Sequence, residues 1–238
     1  MSFSDLLRTK LDKAGYHADD NQIHQYDKFY KMVVEYNKKF NLTSITQEEE
    51  FIDKHIIDSL SSSEIISYNN ISNCIDIGTG AGFPGIPLKI MYPHIDFVLV
   101  DSLNKRIRFL DQVIEELEME NIRAIHARAE DLARDDQYRE QFDLCLSRAV
   151  ASLPVLIEYC IPFVKIDGHF ISYKSAKGRE EIEESRRCLK IMGSEIESVK
   201  ELAISDMAAE RLLIMIRKNK KTHDIYPRKS GIPSRKPL

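Results

Sequence analysis

The chain has 238 residues and a mass of 27.5 kDa, enough for one large domain or a domain with a cap, and too short for two full catalytic domains. Hydrophobic residues make up 43% and mean hydropathy is -0.33, yet no unbroken apolar run reaches the roughly 18 residues that spanning a bilayer requires, which excludes a membrane protein. The formal charge of -4 hides an asymmetry: from Arg217 to Leu238 eight Lys/Arg face the single acid Asp224, leaving -11 for residues 1–216. Clustered cations suit a polyanionic partner, because they displace counterions condensed on phosphates, and they suit a solvated tail equally well.

The opening stretch MSFSDLLRTKLDKAG reads as an amphipathic helix and not as a secretory signal. The cysteines Cys74, Cys145, Cys160 and Cys188 are far apart and form no zinc-spaced cluster, so the expectation is a reduced, cytoplasmic protein without a metal site. Ile23, Tyr26, Tyr30, Val33, Val34, Asn37 and Phe40 recur at helix spacing. A second helix is expected over Gln47–Ile66, with Thr46 placed to cap it and Glu48, Glu49 and Glu50 in its first turn, where the helix dipole favours acids. Residues 1–69 therefore read as a helical cap, ended by the polar stretch from Ser67 to Asn73.

From Cys74 onward short apolar runs alternate with helical patterns. Strands are expected at Cys74–Ile77, Asp96–Val100, Ile122–His126, Phe142–Leu146, His169–Tyr173 and Leu212–Ile216, with helices over Leu103–Met119, Leu153–Val164 and Lys177–Ile191. That alternation predicts an α/β domain over residues 70–238, a mainly parallel sheet covered on both faces and followed by a basic tail.

The strongest local signal is Asp76-Ile-Gly78-Thr-Gly80-Ala-Gly82-Phe-Pro-Gly85, between the first strand and a helix. Glycines let the backbone turn tightly and lie against a ligand. The dinucleotide fingerprint GxGxxG would need its third glycine at position 83, which is Phe83, so a pyrophosphate loop is disfavoured. DxGxGxG is instead the first motif of Rossmann-like S-adenosylmethionine-dependent methyltransferases. Asp101 ends the second strand, where a carboxylate accepts the hydroxyls of a ribose, although a bland strand-end acid occupies the same place. Arg128-Ala129-Glu130-Asp131 offers backbone and acidic groups for an adenine, or equally a helix cap at Asp131. The fourth strand ends in Ser147-Arg148-Ala149-Val150, where a methyl acceptor would meet the cofactor. No [ND]PP[FY] motif and no Pro-Cys or Thr-Cys nucleophile is present, and Cys145 reads as core. A ring nitrogen such as guanine N7 needs neither device, since its lone pair attacks directly and it has no proton to lose.

With Asn41-Leu-Thr43, His55-Ile-Ile-Asp58-Ser-Leu, Asp101-Ser102 with Lys105, and Tyr226-Pro-Arg228-Lys229 with Gly231-Ile-Pro233 added to these motifs, the sequence resembles, over nearly its whole length, the RsmG (GidB) family of bacterial 16S ribosomal RNA methyltransferases that modify guanine N7 in the 530 loop. The resemblance implies an S-adenosylmethionine site formed by Gly78, Gly80, Phe83, Asp101, Ser102, Ala129, Glu130 and Arg148, with Asn41, His55, Arg148 and Lys174 around the acceptor. His55 as a helix-packing residue and Lys174 as a strand-end surface lysine are the plainer readings, and Ser175 stands where the family often has glycine. Arg148 is assigned the catalytic role of fixing guanine through O6 or a phosphate, or of holding the cofactor carboxylate. Lys218, Lys220, Lys221, Arg228 and Lys229 are expected to grip RNA phosphates. The implied partner is 16S rRNA, free or within a 30S particle, and a monomer is expected. The rivals are a nicotinamide oxidoreductase and a non-catalytic RNA-binding module.

Overall fold

Seven strands form one sheet in the computed structural model, which describes residues 2–68, 70–203 and 210–238. They are β1 (Asn73–Ile77), β2 (Asp96–Asp101), β3 (Ile122–His126), β4 (Phe142–Arg148), β5 (Val164–Ser175), β6 (Ser194–Ala203) and β7 (Glu210–Lys218). The order is β3-β2-β1-β4-β5-β7-β6; the first five strands are mutually parallel, and β7 is antiparallel to both β5 and β6. An open dinucleotide-binding sheet runs 3-2-1-4-5-6, so the antiparallel strand inserted before the edge sets this fold apart from the nicotinamide enzymes.

The central strands are Ile/Val/Leu-rich because both of their faces are buried. Phe97, Leu99, Leu144 and Leu146 join one core cluster, while Ile75, Val98, Val100 and Cys145 join the other, so successive side chains go to opposite faces. The edge strand β6, absent from the sequence reading, carries Glu195, Glu197, Lys200 and Glu201. Charges of this kind protect a sheet edge from pairing with other chains, and they also erase the apolar signature of a strand.

The cap begins with α1 (Phe3–Lys13) and α2 (Asp20–Phe40), each opened by a capping box, Ser2 with Asp5 and Asp19 with Gln22. Their apolar faces bury Phe3, Leu7, Leu11, Ile23, Tyr26, Phe29 and Val33 in the first core cluster. The expected helix over Gln47–Ile66 is segmented: α3 (Glu48–Phe51), a π-helical turn at Ile52–Ile57, α4 (Asp58–Leu60) and, after a turn, α5 (Ser63–Tyr68). Gln47, with no side-chain cap, starts it in place of Thr46, whose carbonyl instead accepts from Tyr30 Oη. Residue 69, where cap and sheet domain were expected to meet, lies outside the described residues.

Between strands lie α6 (Gly85–Met91), α7 (Asn104–Glu116), α8 (Ala129–Leu132), α9 (Leu153–Cys160), a 3-10 turn at Ile161–Phe163, α10 (Gly178–Glu184), α11 (Arg186–Met192) and, near the end, α12 (Ile232–Arg235). The single helix expected over Lys177–Ile191 is split at Ser185, and the one over Leu153–Val164 gives way early because Val164 already pairs with Phe142. The cap docks on α6 and α7 through polar ties to backbone carbonyls: Tyr26 Oη donates to Pro87 O at 2.8 Å, and Gln25 Nε2 to Leu117 O at 3.1 Å.

Candidate active site

The glycine turn after β1 closes over the end of β2, where Gly78 N and Thr79 N both donate to Val100 O. Gly78 and Gly80 have φ of +73° and +64°, a region that L side chains rarely enter. A Cβ on Gly78 would lie 2.4 Å from a Val150 methyl, whereas a Cβ on Gly80 would project into open space. Gly85 is needed for close packing, since a Cβ there would strike Leu99 and Asp76.

Asp76 is wholly buried beneath this turn. Burial pushes its carboxyl up to about 7, against the lowering influence of the Thr79 hydroxyl and of the Gly85 amide, which donates to Oδ2 at 3.0 Å. Neither Asp76 Oδ1 nor Thr79 Oγ1 makes an aligned hydrogen bond, so a buried acceptor is left over under the loop.

A cleft opens along the C-terminal ends of β1, β2 and β3, lined by Gly78, Asp101, Ser102, Ala129, Glu130, Val150 and Tyr159, and closed on the far side by Gly231 and Ser234. Asp101 is held in place from three sides: its carboxylate accepts from Gly80 N and Arg106 Nη1, both at 3.0 Å, and from Leu103 N at 2.9 Å. Glu130 Oε1 accepts from Gly231 N at 2.9 Å.

A second cleft, on the other side of the Ala149–Val150 bend, is lined by Lys54, His55, Asp58, Arg148, Lys174, Glu181 and Arg211 among others. Ala149, with φ of +57°, turns the chain sharply at the end of β4, so that Ala149 faces this cleft and Val150 the first. Four basic side chains against two acidic ones give the second cleft a positive excess, suited to a phosphate-bearing acceptor.

Arg148 is the hub of the second cleft. Its Nη1 donates to Asp58 Oδ2 at 2.7 Å and to Lys54 O at 3.0 Å, its Nη2 donates to His55 Nδ1 at 3.2 Å, and the guanidinium lies 5.1 Å from the centroid of the Phe83 ring. An arginine has five N–H donors, so this network engages three and leaves two for a ligand. His55 stacks on Phe83 at 4.2 Å, and its Nε2 meets Thr43 Oγ1 at 2.9 Å. Because a guanidinium can only donate, Nδ1 is the acceptor and the ring proton sits on Nε2. Burial first, and the Arg148 charge second, press the His55 ring down to about 3, so it stays neutral. Asp58 sits between two cations, with Arg211 Nε 3.3 Å from Oδ1 but not aligned for a hydrogen bond. Lys174 Nζ ties the strand-end loop to α10, donating to Ala151 O at 2.6 Å and Glu181 Oε2 at 2.7 Å.

The family model described as "GidB: rRNA small subunit methyltransferase G" matches residues 22–212. The chain belongs to this family. It is 40% identical to the ribosomal RNA small subunit methyltransferase G of Clostridium tetani over 100% of both chains, and 48% identical to that of Acetivibrio thermocellus over 94% of this chain and 92% of the relative. Among solved structures, M. jannaschii TYW2 in complex with AdoMet shares the fold, with a TM-score of 0.52 and 15% identity, covering 68% of this chain and 76% of that one.

For this family member, several sequence expectations meet in space: Gly78, Asp101, Ser102, Ala129 and Glu130 line the first cleft, and His55, Arg148 and Lys174 the second. Others lie elsewhere, and one is overturned by burial. Phe83 is 6% exposed and lines neither cleft; its ring is a platform under Arg148 and His55. Asn41 is the exposed left-handed cap of α2, and Thr43, two residues on, is what reaches His55. Lys218 is fully buried, donating to Glu140 Oε1 at 2.7 Å and Ile161 O at 3.1 Å, and burial lowers it to about 8; no phosphate reaches it in this fold. Arg228 is locked to Glu158, whereas Lys229 is exposed. The basic stretch is a docked segment and not a solvated tail. Lys54, Asp58, Glu181 and Arg211 are the charged residues of the second cleft that spacing alone did not assign, although Asp58 stands three residues from His55 in one motif.

Proposed function

We propose that the protein transfers the methyl group of S-adenosylmethionine to N7 of a guanine in the 530 loop of 16S ribosomal RNA. The observation that carries this reading is the pair of clefts on either side of Ala149–Val150: one built from a glycine turn and strand-end acids, the other carrying a positive excess around Arg148. The first fits the cofactor in its chemistry. The Gly80 position is open where a side chain would intrude, Asp101 and Ser102 at the end of β2 would accept from ribose hydroxyls, and Ala129 and Glu130 after β3 would hold the adenine. When bound, S-adenosylmethionine supplies an electrophilic methyl group on a sulfonium.

The chain's own task is alignment and exclusion of water. Arg148, fixed by Asp58, Lys54 O and His55, presents its two remaining N–H groups to guanine O6 or to a phosphate while N7 stays free. N7 carries no proton, so no general base is needed, and His55 has none to offer: Nδ1 is occupied by Arg148 and Nε2 carries the proton shared with Thr43. Lys174 shapes the loop between the clefts. No helix among the described residues is long and apolar enough to cross a membrane. The reading places the protein in the cytoplasm with its RNA, free or in a 30S particle, acting as a monomer.

The test offers labelled S-adenosylmethionine to free 16S rRNA, 30S particles and 70S ribosomes, followed by nucleoside mass spectrometry. The expected product is 7-methylguanosine. An N1-, N2- or 2'-O-methylated guanosine would overturn the N7 assignment, and thermal protection by a nicotinamide cofactor in place of S-adenosylmethionine would overturn the reaction class.

A further inference from the structure

The segment from Thr222 to Arg235 is held against the sheet domain by a set of contacts too specific for packing alone. Glu158, whose side chain is 1% exposed, accepts from Arg228 N at 2.8 Å, Nε at 2.9 Å and Nη2 at 2.6 Å. A buried carboxylate is costly unless fully paired, and among the described residues this one is paired by that segment alone. Arg139 donates to Tyr226 O at 2.9 Å and Thr222 O at 3.0 Å, and Ser230 Oγ donates to Asp131 Oδ1 at 3.1 Å. Gly231, at φ of +79°, then turns the chain back so that Gly231 and Ser234 line the first cleft together with Asp101.

The latch and the cleft share their supports. Glu158 and Tyr159 are neighbours on α9, one holding Arg228 and the other lining the cleft; Glu130 and Asp131 are neighbours on α8, and both bind the segment. Glu130 is the sharpest case, since this lining residue of the cleft spends one oxygen on Gly231 N.

We propose that residues 222–235 are a latched wall of the adenosine half of the cofactor site, with Arg228 and Glu158 as the latch and Gly231 and Ser234 as the contact surface. This rests on the cofactor reading above. Cofactor affinity then depends on a segment remote in sequence from the glycine turn, and by reciprocity the bound cofactor holds the segment down. If loss of the latch leaves the wall in place a tenth of the time, the apparent Kd rises about tenfold.

The experiment measures calorimetric Kd values of the full chain for S-adenosylhomocysteine and for 5'-methylthioadenosine, which lacks the amino-acid end. Binding of S-adenosylhomocysteine by the parent tests the cofactor reading itself. Arg228→Ala should weaken both ligands by the same factor, about tenfold or more, and Arg228→Lys should recover part of the loss. Ser234→Leu, at an exposed position that puts bulk into the cleft, should block both ligands without lowering Tm. Asp143→Ala, which removes a carboxylate at the start of the central strand β4, at the end away from the clefts, serves as a destabilised control that should keep both affinities. In the parent, S-adenosylhomocysteine should slow tryptic cleavage after Lys229. Parent-like Kd values in folded Arg228→Ala and Ser234→Leu, or a loss in Arg228→Ala no larger than in Asp143→Ala, would overturn the proposal, as would tryptic cleavage indifferent to the ligand.

Discussion

His55 Nδ1 lies 3.2 Å from Arg148 Nη2, so an uncharged imidazole is the partner of a guanidinium that is itself only 13% exposed. Burial disfavours a charged ring, and protonating it would also set two cations face to face, so its ionisation is pressed from 6.5 to about 3. In the unfolded chain the ring takes up its proton near 6.5, so unfolding binds a proton anywhere between these values, and stability gained from the neutral ring is lost as pH falls through that window. Asp76, raised to about 7, has the opposite slope over most of that range, because the folded state binds its proton first. The parent therefore masks the effect. Denaturant titrations of parent and His55→Asn should show their difference in stability growing with pH by about 1.4 kcal/mol per unit up to roughly pH 6.5, then levelling. Parallel curves for the two proteins would mean that His55 is not the buried neutral partner assigned here.

Asp58 neutralises Arg148 and lies beside Arg211. Removing one member of a buried ion pair typically costs about 3–5 kcal/mol, because the other charge is left unpaired. Asp58→Ala should lower stability by that order, and Asp58→Asn less. In Asp58→Asn, turnover at saturating cofactor and RNA should fall while S-adenosylhomocysteine affinity holds. A variant with parental turnover would show that Arg148 needs no such anchoring.

Replacing Arg148 itself tests alignment directly. Arg148→Ala should lower turnover strongly in a folded protein, and Arg148→Lys should recover only part of it, since an ammonium cannot serve Asp58, Lys54 O and His55 together while keeping donors for a ligand. Full activity in Arg148→Ala would remove its role in fixing the guanine.

Asp101 gives the cofactor-side test. Its carboxylate holds Gly80 N and Arg106 as well as facing the cleft, so Asp101→Ala should loosen the glycine turn and remove the ribose acceptor together. Loss of a charge-assisted contact is worth about 1.5–3 kcal/mol, or roughly ten- to a hundredfold in Kd for S-adenosylhomocysteine by calorimetry. Unchanged affinity in the folded variant would take Asp101 out of the site.

The basic stretch divides by burial. Lys218→Met should lower Tm, through the unpaired Glu140, without changing the salt dependence of RNA binding, because the lysine has no exposed atoms. Lys221→Ala and Lys229→Ala, at exposed positions, should leave Tm unchanged and reduce the log-log salt slope by about 0.7 per lost phosphate contact to single-stranded RNA. An altered slope in Lys218→Met would contradict the buried placement.

What the sequence made legible follows from range. Buried strands such as Phe97–Val100 announce themselves because every residue is apolar, and Arg148, His55 and Lys174 could be nominated from their motifs. Strand β6 was illegible because an edge needs charge, and the helix after Gln47 was drawn too long because nothing local marks a π turn. Long-range pairing is the least legible feature. Lys218 and Arg228 look like free cations until Glu140 and Glu158, 78 and 70 residues away, are brought to them. Phe83 was legible as a departure from the dinucleotide fingerprint, but its use as a platform depends on His55 and Arg148 arriving from two other elements.

The cap's core contacts impose an order on biosynthesis. Phe29 packs on Phe83, Tyr36 on Phe109, and Ser59 O waits for the hydroxyl of Tyr173, while Leu213 completes the same core cluster. At translation rates of about 5–20 residues per second, the apolar faces of the first helices wait several seconds for Phe83 and Phe109, and roughly ten seconds or more for Leu213. Holding chaperones would therefore find their target in α1 and α2, whose apolar faces are made before the strands and helices that cover them.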